Sequence, residues 1–203
     1  KRRTEHGLLI SCLISNMSMR LLHKPQRVFI GIKMSEEIAD ACVKLQADLA
    51  DLPARFIPPE DIHLTLVPPW DESDIRFAEY TLQTTLFPAK CFTLELQRLS
   101  YGPDPMRPWL AWIECAASAE LVALKKELMK AFGARDSVPF TPHVTIARFS
   151  EKDAEVLTHR PIDRSVRLSM RVDSVQFFSS PGKGGEGYTV LASLPLCEGG
   201  TPS

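Results

Sequence analysis

The spacing of apolar residues changes along the chain, and these changes predict the order of its elements. The run from Gln26 to Lys33 is rich in β-branched and aromatic residues and predicts a buried strand. After Ser35, apolar residues recur every three or four positions, which predicts a helix capped by that serine and ending near Ala50. A proline pair, Pro58-Pro59, then precedes a second strand.

The second half of the chain repeats this order. Residues 109–114 predict a strand, Ser118 caps a second helix, and Gly133 ends that helix before a further strand. The interval from the middle of the first strand to the strand after the helix is the same in both halves, since 63 − 30 = 143 − 110 = 33. Identity between the halves is slight, so the repeat is one of pattern.

Other patterns complete the secondary structure. Residues 74–86 predict a helix, and alternating apolar residues predict strands near residues 92–96, 166–172, 175–178 and 188–194. The glycine-rich segment at residues 181–187 lacks the order of a phosphate-binding loop and predicts a hairpin loop.

These elements predict one α+β domain at residues 25–198. We expect a bilobal, duplicated fold with pseudo-two-fold symmetry. Two antiparallel sheets would flank a central cleft, with helices on the outside.

Residues 1–24 are expected to be an N-terminal tail outside this core. The basic start and the short apolar stretch after it loosely resemble a signal peptide, but Ser11 interrupts the apolar part and no small-residue cleavage site follows. We favour a functional start at Met17 or Met19 over that alternative.

Composition narrows the classes of function. The chain has 203 residues, of which 44% are hydrophobic, and a formal net charge of −1, so it can bury a sizeable core but has no general attraction for polyanions. Its five cysteines are scattered without a CxxC pair, which favours a reducing compartment over a zinc site or a disulfide framework. We therefore expect a cytoplasmic protein, monomeric, without membrane association.

Two short motifs carry the candidate chemistry. His63-Leu64-Thr65 and His143-Val144-Thr145 each place a histidine and a threonine two residues apart, with apolar residues between and after them. In a strand, residues i and i+2 point to the same face. Two such strands side by side would direct two imidazoles and two hydroxyls into one cleft, a constellation suited to acid–base chemistry on a phosphate.

These residues resemble the two-histidine (2H) phosphoesterases, in the branch of RNA 2′,3′-cyclic phosphodiesterases also called 2′-5′ RNA ligases. The resemblance covers about residues 26–196 and includes both HxTx motifs, the strand at residues 27–32, Arg148 after the second motif and the closing hairpin.

The resemblance implies hydrolysis of an RNA or nucleotide 2′,3′-cyclic phosphate to a 2′-phosphate, with no cofactor and no metal. It implies that His63 is the proton donor to the leaving 3′ oxygen and that His143 is the proton acceptor from water. Thr65, Thr145 and Arg148 would bind the phosphate.

Other enzyme and binding functions stay open at the sequence level. A 2′-5′ RNA ligase or 2′-5′ phosphodiesterase would use the same residues, and a non-catalytic nucleotide- or RNA-binding module would keep the same cleft.

One segment departs from the family pattern. The family usually continues its first motif with an aromatic residue, leucine and glycine, whereas this chain has Val67-Pro68-Pro69-Trp70. Trp70 is either a stacking surface for a base or a residue packed on its own lobe.

Overall fold

The computed structural model describes residues 24–87, 89–104, 106–182 and 187–196. The predicted tail, apart from Lys24, and the middle of the glycine-rich loop, residues 183–186, lie outside the described residues. Residues 189–195 form the strand that follows this loop.

Four α-helices occur in the described residues, and serine or aspartate caps begin the three long ones. The Ser35 hydroxyl accepts a hydrogen bond from the Ile38 N–H, and the Ser118 hydroxyl accepts one from the Leu121 N–H, which confirms both predicted caps. Gly133 follows the third helix with φ 61°, a left-handed conformation that favours glycine. The helices are α1 (Glu36–Gln46), α2 (Ile75–Leu86), α3 (Ala119–Ala131) and α4 (Ala154–His159). His159 is the last residue of α4.

Nine strands occupy the same part of the chain. They are β1 (Gln26–Lys33), β2 (Arg55–Phe56), β3 (His63–Glu72), β4 (Phe92–Gly102), β5 (Leu110–Cys115), β6 (His143–Arg148), β7 (Asp163–Val172), β8 (Ser174–Ser179) and β9 (Thr189–Pro195). Each half therefore has the predicted order of strand, helix and His-x-Thr strand.

The strands form one continuous antiparallel sheet in the order β7-β4-β5-β6-β3-β1-β8-β9, with β2 paired to β6. The prediction of an α+β fold with antiparallel pairing is confirmed, but the prediction of two separate sheets is wrong. The two halves join where Leu64 of β3 pairs with Val144 of β6. Both residues are fully buried, and buried backbone groups need hydrogen-bond partners, so the central strands pair where they meet.

β3 also runs further than its prolines predicted. It continues through Pro68 and Pro69 to Glu72, because the two prolines lie in a register shift between the pairs Ile30–Val67 and Val28–Trp70. A β-bulge tolerates residues that lack an N–H.

The apolar residues between and after the motif positions form the core beneath the central strands. Leu64, Leu66, Val144 and Ile146 are all fully buried, as the alternation predicted. α3 lies against β3, and α1 lies against β6. Among the described residues, no helix has the length and apolarity required to cross a bilayer.

Candidate active site

The five residues predicted from the motifs line a single cavity of about 170 Å³ where β3 and β6 meet. His63, Thr65, His143, Thr145 and Arg148 share it with five residues that sequence reasoning did not select. All five predicted residues are half-buried. The additional lining residues are Ile57, Asp61, Trp109, Leu110 and Tyr188.

A β-bulge explains why Arg148 reaches this cavity. Three residues separate it from Thr145, and in a regular strand an odd separation places side chains on opposite faces. The register of β6 against β5 shifts between Ala111 and Trp112, which makes Ile146 an extra residue. Because one residue is inserted, Arg148 returns to the face of the histidine and threonine.

The first His-x-Thr strand has an equivalent shift directly after Thr65, with Leu66 as the extra residue. A buried side chain binds the carbonyl oxygen of each extra residue. Lys125 Nζ donates to the Leu66 oxygen at 2.9 Å, and Gln46 Nε2 donates to the Ile146 oxygen at 3.0 Å. Both halves therefore hold the same distortion next to their threonine.

Both imidazoles are held in the same way. Nδ1 of His63 lies 2.6 Å from the Asp61 carbonyl oxygen, and Nδ1 of His143 lies 2.7 Å from the Thr141 carbonyl oxygen. A carbonyl can only accept, so Nδ1 carries the proton in both rings. Nε2 of each ring is then the nitrogen that accepts or donates a proton in the cavity.

Aromatic rings fix the orientation of the two imidazoles. His63 packs against Phe29 at a centroid distance of 4.8 Å, and its ring is perpendicular to that of Tyr188 at 5.2 Å. His143 packs against Trp112 at 4.2 Å. Each imidazole is therefore held by a backbone carbonyl and an aromatic wall.

Burial lowers the pKa of both His63 and His143 below that of an exposed imidazole, because the charged ring loses water. The bonds to the carbonyls of Asp61 and Thr141 favour the charged ring and oppose this shift. The positive charge of Arg148 lowers both pKa values further. These shifts favour the neutral form of each ring, which is the form a proton acceptor needs.

A polar network supports the wall behind His143. Trp112 Nε1 donates to the Ser100 hydroxyl at 3.0 Å, and that hydroxyl donates to Glu114 Oε1 at 2.8 Å. Glu114 is the cross-strand partner of His143, and its charge raises the pKa of that imidazole. The network orients the Trp112 ring and places a carboxylate near one of the two histidines.

Asp61 connects His63 to the loop before β9. Besides its carbonyl contact to the imidazole, its carboxylate accepts from the N–H groups of Gly187 at 2.7 Å and Tyr188 at 3.0 Å. Asp61 is only 3% exposed. One buried residue therefore positions both the ring and the tyrosine that packs against it.

Trp70 does not line this cavity. Its ring lies 5.2 Å from Phe132 and 6.0 Å from Phe177, and its Nε1 donates to Glu72. Of the two interpretations of Trp70, packing on its own lobe is the one observed, because β3 continues past the prolines and turns the ring onto the core.

A larger cavity of about 300 Å³ lies between α1 and β7, lined partly by Lys44, Asp48, Arg164 and Arg167. It contains no histidine, and Arg164 is paired with Asp48. The smaller cavity combines two titratable rings with a cation and two hydroxyls, so we assign the chemistry to it. Over the described ranges, no group of three or more His, Cys, Asp or Glu residues is placed to hold a metal ion.

Comparison with known proteins identifies the family of this chain. Residues 34–184 match the family described as the 2′-5′ RNA ligase superfamily. Over 144 residues the chain is 28% identical to the RNA 2′,3′-cyclic phosphodiesterase of Aquifex aeolicus strain VF5. This alignment covers 66% of this chain and 76% of that protein.

Two crystal structures share the fold. A Thermus thermophilus protein superposes with a TM-score of 0.70 at 21% identity, covering 84% of this chain and 97% of that one. Escherichia coli LigT complexed with 3′-AMP superposes with a TM-score of 0.66 at 22% identity, covering 86% of this chain and 100% of that one. The resemblance drawn from the paired motifs is confirmed, and the chain belongs to the 2′-5′ RNA ligase superfamily of 2H phosphoesterases.

Proposed function

We propose that this protein hydrolyses the 2′,3′-cyclic phosphate of an RNA end or a nucleotide to a 2′-phosphate. The observation that carries the proposal is the matched pair of histidines. His63 and His143 line one cavity, and each has Nδ1 bound to a carbonyl, which leaves Nε2 for the substrate.

Ring opening needs two proton transfers on opposite sides of phosphorus. Nε2 of His143 accepts a proton from water as the water oxygen bonds to phosphorus. The bond from phosphorus to the 3′ oxygen breaks, and that oxygen takes the proton of Nε2 of protonated His63. The reaction consumes one water, and the enzyme ends with the two protonation states exchanged.

The remaining polar residues bind the phosphate during this step. The hydroxyls of Thr65 and Thr145 donate to its non-bridging oxygens, and the guanidinium of Arg148 supplies a fixed positive charge. Neither proton transfer calls for a metal ion or a cofactor.

Two relatives support this substrate class. The Aquifex aeolicus protein is named an RNA 2′,3′-cyclic phosphodiesterase, and LigT has been crystallised with the nucleotide 3′-AMP. Extending the same chemistry to this chain rests on the paired histidines and on membership of the superfamily.

The test is hydrolysis of adenosine 2′,3′-cyclic phosphate and of a short RNA with a cyclic phosphate end, in excess chelator. We expect a 2′-phosphate as the sole product, and a loss of about 10²- to 10⁴-fold in kcat for His63→Gln and His143→Gln. His159→Gln, which changes an exposed histidine at the end of α4, should retain wild-type activity.

Two other outcomes would contradict the proposal, and each indicates a different function. Cleavage or joining of 2′-5′ linked oligonucleotides, without cyclic phosphate hydrolysis, would show that the same site works on a different bond. Nucleotide binding without any turnover, unaffected by His63→Gln, would show a binding module.

A further inference from the structure

We propose that Trp109 forms a stacking site for the base of the terminal nucleotide, next to the phosphate site. This inference rests on the proposed function and extends it, because it names the residue that binds the base of the RNA end or nucleotide. It concerns the apolar residues of the cavity, which the proton transfers do not use.

The cavity lining contains both polar and apolar residues. The histidines, the threonines, Arg148, Asp61 and Tyr188 carry polar groups, whereas Ile57, Trp109 and Leu110 are apolar. A phosphate needs only the polar residues. Apolar side chains next to a phosphate site suit the flat base attached to the same ribose.

Sheet pairing places these residues at the Arg148 end of the site. Leu110 of β5 is the cross-strand partner of Arg148, so Trp109 lies one residue, about 3.4 Å of strand, beyond it. On the other edge of β6, the Ile57 N–H donates to the Ile146 carbonyl oxygen at 2.9 Å. Trp109 and Ile57 therefore stand on opposite sides of the strand that carries Arg148.

The Trp109 backbone is fixed, although its ring is accessible. Its N–H donates to the Gly102 carbonyl at 3.2 Å, and its carbonyl accepts from the Phe149 N–H at 3.0 Å. Trp109 is 45% exposed as a residue, compared with 7% for Trp112. A large ring on a rigid backbone presents a stacking face that loses little entropy on binding.

The other two tryptophans have structural partners. Trp112 packs on His143, and Trp70 packs between Phe132 and Phe177. Within the described residues, no aromatic ring stacks on Trp109. Stacking on one aromatic ring tolerates every base, so we expect weak preference among the four nucleosides.

The experiment compares adenosine 2′,3′-cyclic phosphate with the abasic substrate 1-O-methylribose 2,3-cyclic phosphate. The variants are Trp109→Ala, Trp109→Phe and the control Tyr80→Ala, which removes an aromatic residue that is 63% exposed on α2. We expect Trp109→Ala to lower the ratio of kcat/KM for the adenosine substrate over the abasic one by about tenfold. Trp109→Phe should keep most of the ratio, and Tyr80→Ala should keep all of it.

A binding measurement separates this inference from the proposed function. Calorimetric titration with adenosine 2′-phosphate and with ribose 2-phosphate does not require turnover. We expect Trp109→Ala to weaken the binding of adenosine 2′-phosphate about tenfold and to reduce its preference over ribose 2-phosphate. If wild type hydrolyses neither cyclic phosphate but this preference depends on Trp109, the stacking site stands and the hydrolase does not. Trp109→Ala could change the affinity for both ligands and kcat/KM for both substrates equally, or change none of them. Either result would contradict the proposed stacking site.

Discussion

The ammonium group of Lys125 donates a 2.9 Å hydrogen bond to the carbonyl oxygen of Leu66, the extra residue beside Thr65. The same group lies 3.1 Å from Asp136 and 4.5 Å from the ring centroid of Phe140. Asp136 and Phe140 belong to the segment that leads into the second His-x-Thr strand. One buried lysine on α3 therefore ties the approach to His143 to the bulge next to Thr65.

Replacing this lysine should destabilise the protein. In Lys125→Met the Leu66 carbonyl and Asp136 lose their cationic partner, and leaving such groups unpaired costs about 1–3 kcal/mol of unfolding free energy. The measurement is the urea midpoint of unfolding. The neighbouring Lys126→Met, at an exposed position of the same helix, is the matched control. Equal midpoints for the two variants would show that the buried contacts add nothing.

Removing the carboxylate of Asp61 should affect both stability and catalysis. Asp61→Ala leaves the N–H groups of Gly187 and Tyr188 without their acceptor and releases Tyr188 from its contact with His63. We expect a loss of about 1–3 kcal/mol in stability, together with a lower kcat. Denaturant unfolding and steady-state kinetics measure the two effects. The adjacent exposed Glu60→Ala should change neither, and a normal kcat in Asp61→Ala would show that Tyr188 holds its place without the carboxylate.

A methyl group at Gly102 should disturb the wall behind His143. A Cβ at this position would lie 2.2 Å from Trp112 Cζ2, far inside van der Waals contact. The Trp112 ring must move, and its packing on His143 and its bond to Ser100 change with it. We expect Gly102→Ala to lower stability by about 1–3 kcal/mol, the usual cost of overpacking. Gly133→Ala is the control, because it strains a left-handed backbone with φ 61° while its Cβ would meet no atom within 4 Å. An intact activity and midpoint in Gly102→Ala would contradict the proposed support.

The rate should depend on pH differently in the free and the bound enzyme. Burial lowers the pKa of both histidines in the free enzyme. The alkaline limb of kcat/KM, on which His63 loses its proton, should therefore have its midpoint below about pH 6.5. A bound phosphate carries negative charge, which favours the protonated ring and raises the pKa of His63. The alkaline limb of kcat should therefore lie at higher pH than that of kcat/KM. Superimposed limbs in the two profiles would contradict this assignment of the acid.

Stability should depend on the same two rings. A histidine whose pKa is lowered by folding binds fewer protons in the folded state than in the unfolded chain between its two pKa values. The unfolding free energy is therefore highest above about pH 6.5 and falls as the pH drops below that value, until the folded-state pKa is passed. Urea midpoints between pH 5 and 8 measure this slope. The double variant with glutamine at positions 63 and 143 should show a shallower slope, and an unchanged slope would assign the effect to other groups.

The sequence predicted those parts of the fold that depend on local periodicity. Alternation in the two motifs identified the buried and cavity-facing residues of β3 and β6, and Ser35 and Ser118 identified two helix starts. The histidine and threonine of each motif share one cavity because residues i and i+2 share a strand face.

Local patterns did not predict the features that depend on contacts between residues far apart in the sequence. The bulge that returns Arg148 to the cavity depends on the register between two strands, and the acceptor of Lys125 lies 59 residues away along the chain. No local pattern marks Asp61, because its partners Gly187 and Tyr188 lie 126 and 127 residues further along the chain. Trp70 directly follows a motif and Trp109 does not, yet tertiary packing puts Trp109 in the cavity and Trp70 on the core.

The junction between the halves has a consequence for how this sheet can evolve. β3 and β6 pair only at Leu64–Val144, because the same edge of β6 then pairs with β2 at Phe56–Ala147 and Arg55–Arg148. The cavity residue Ile57 directly follows β2. A longer pairing of β3 with β6 would displace β2 and would move Ile57 out of the cavity wall. Substitutions that lengthen this pairing should therefore yield a more stable protein with a lower rate of turnover.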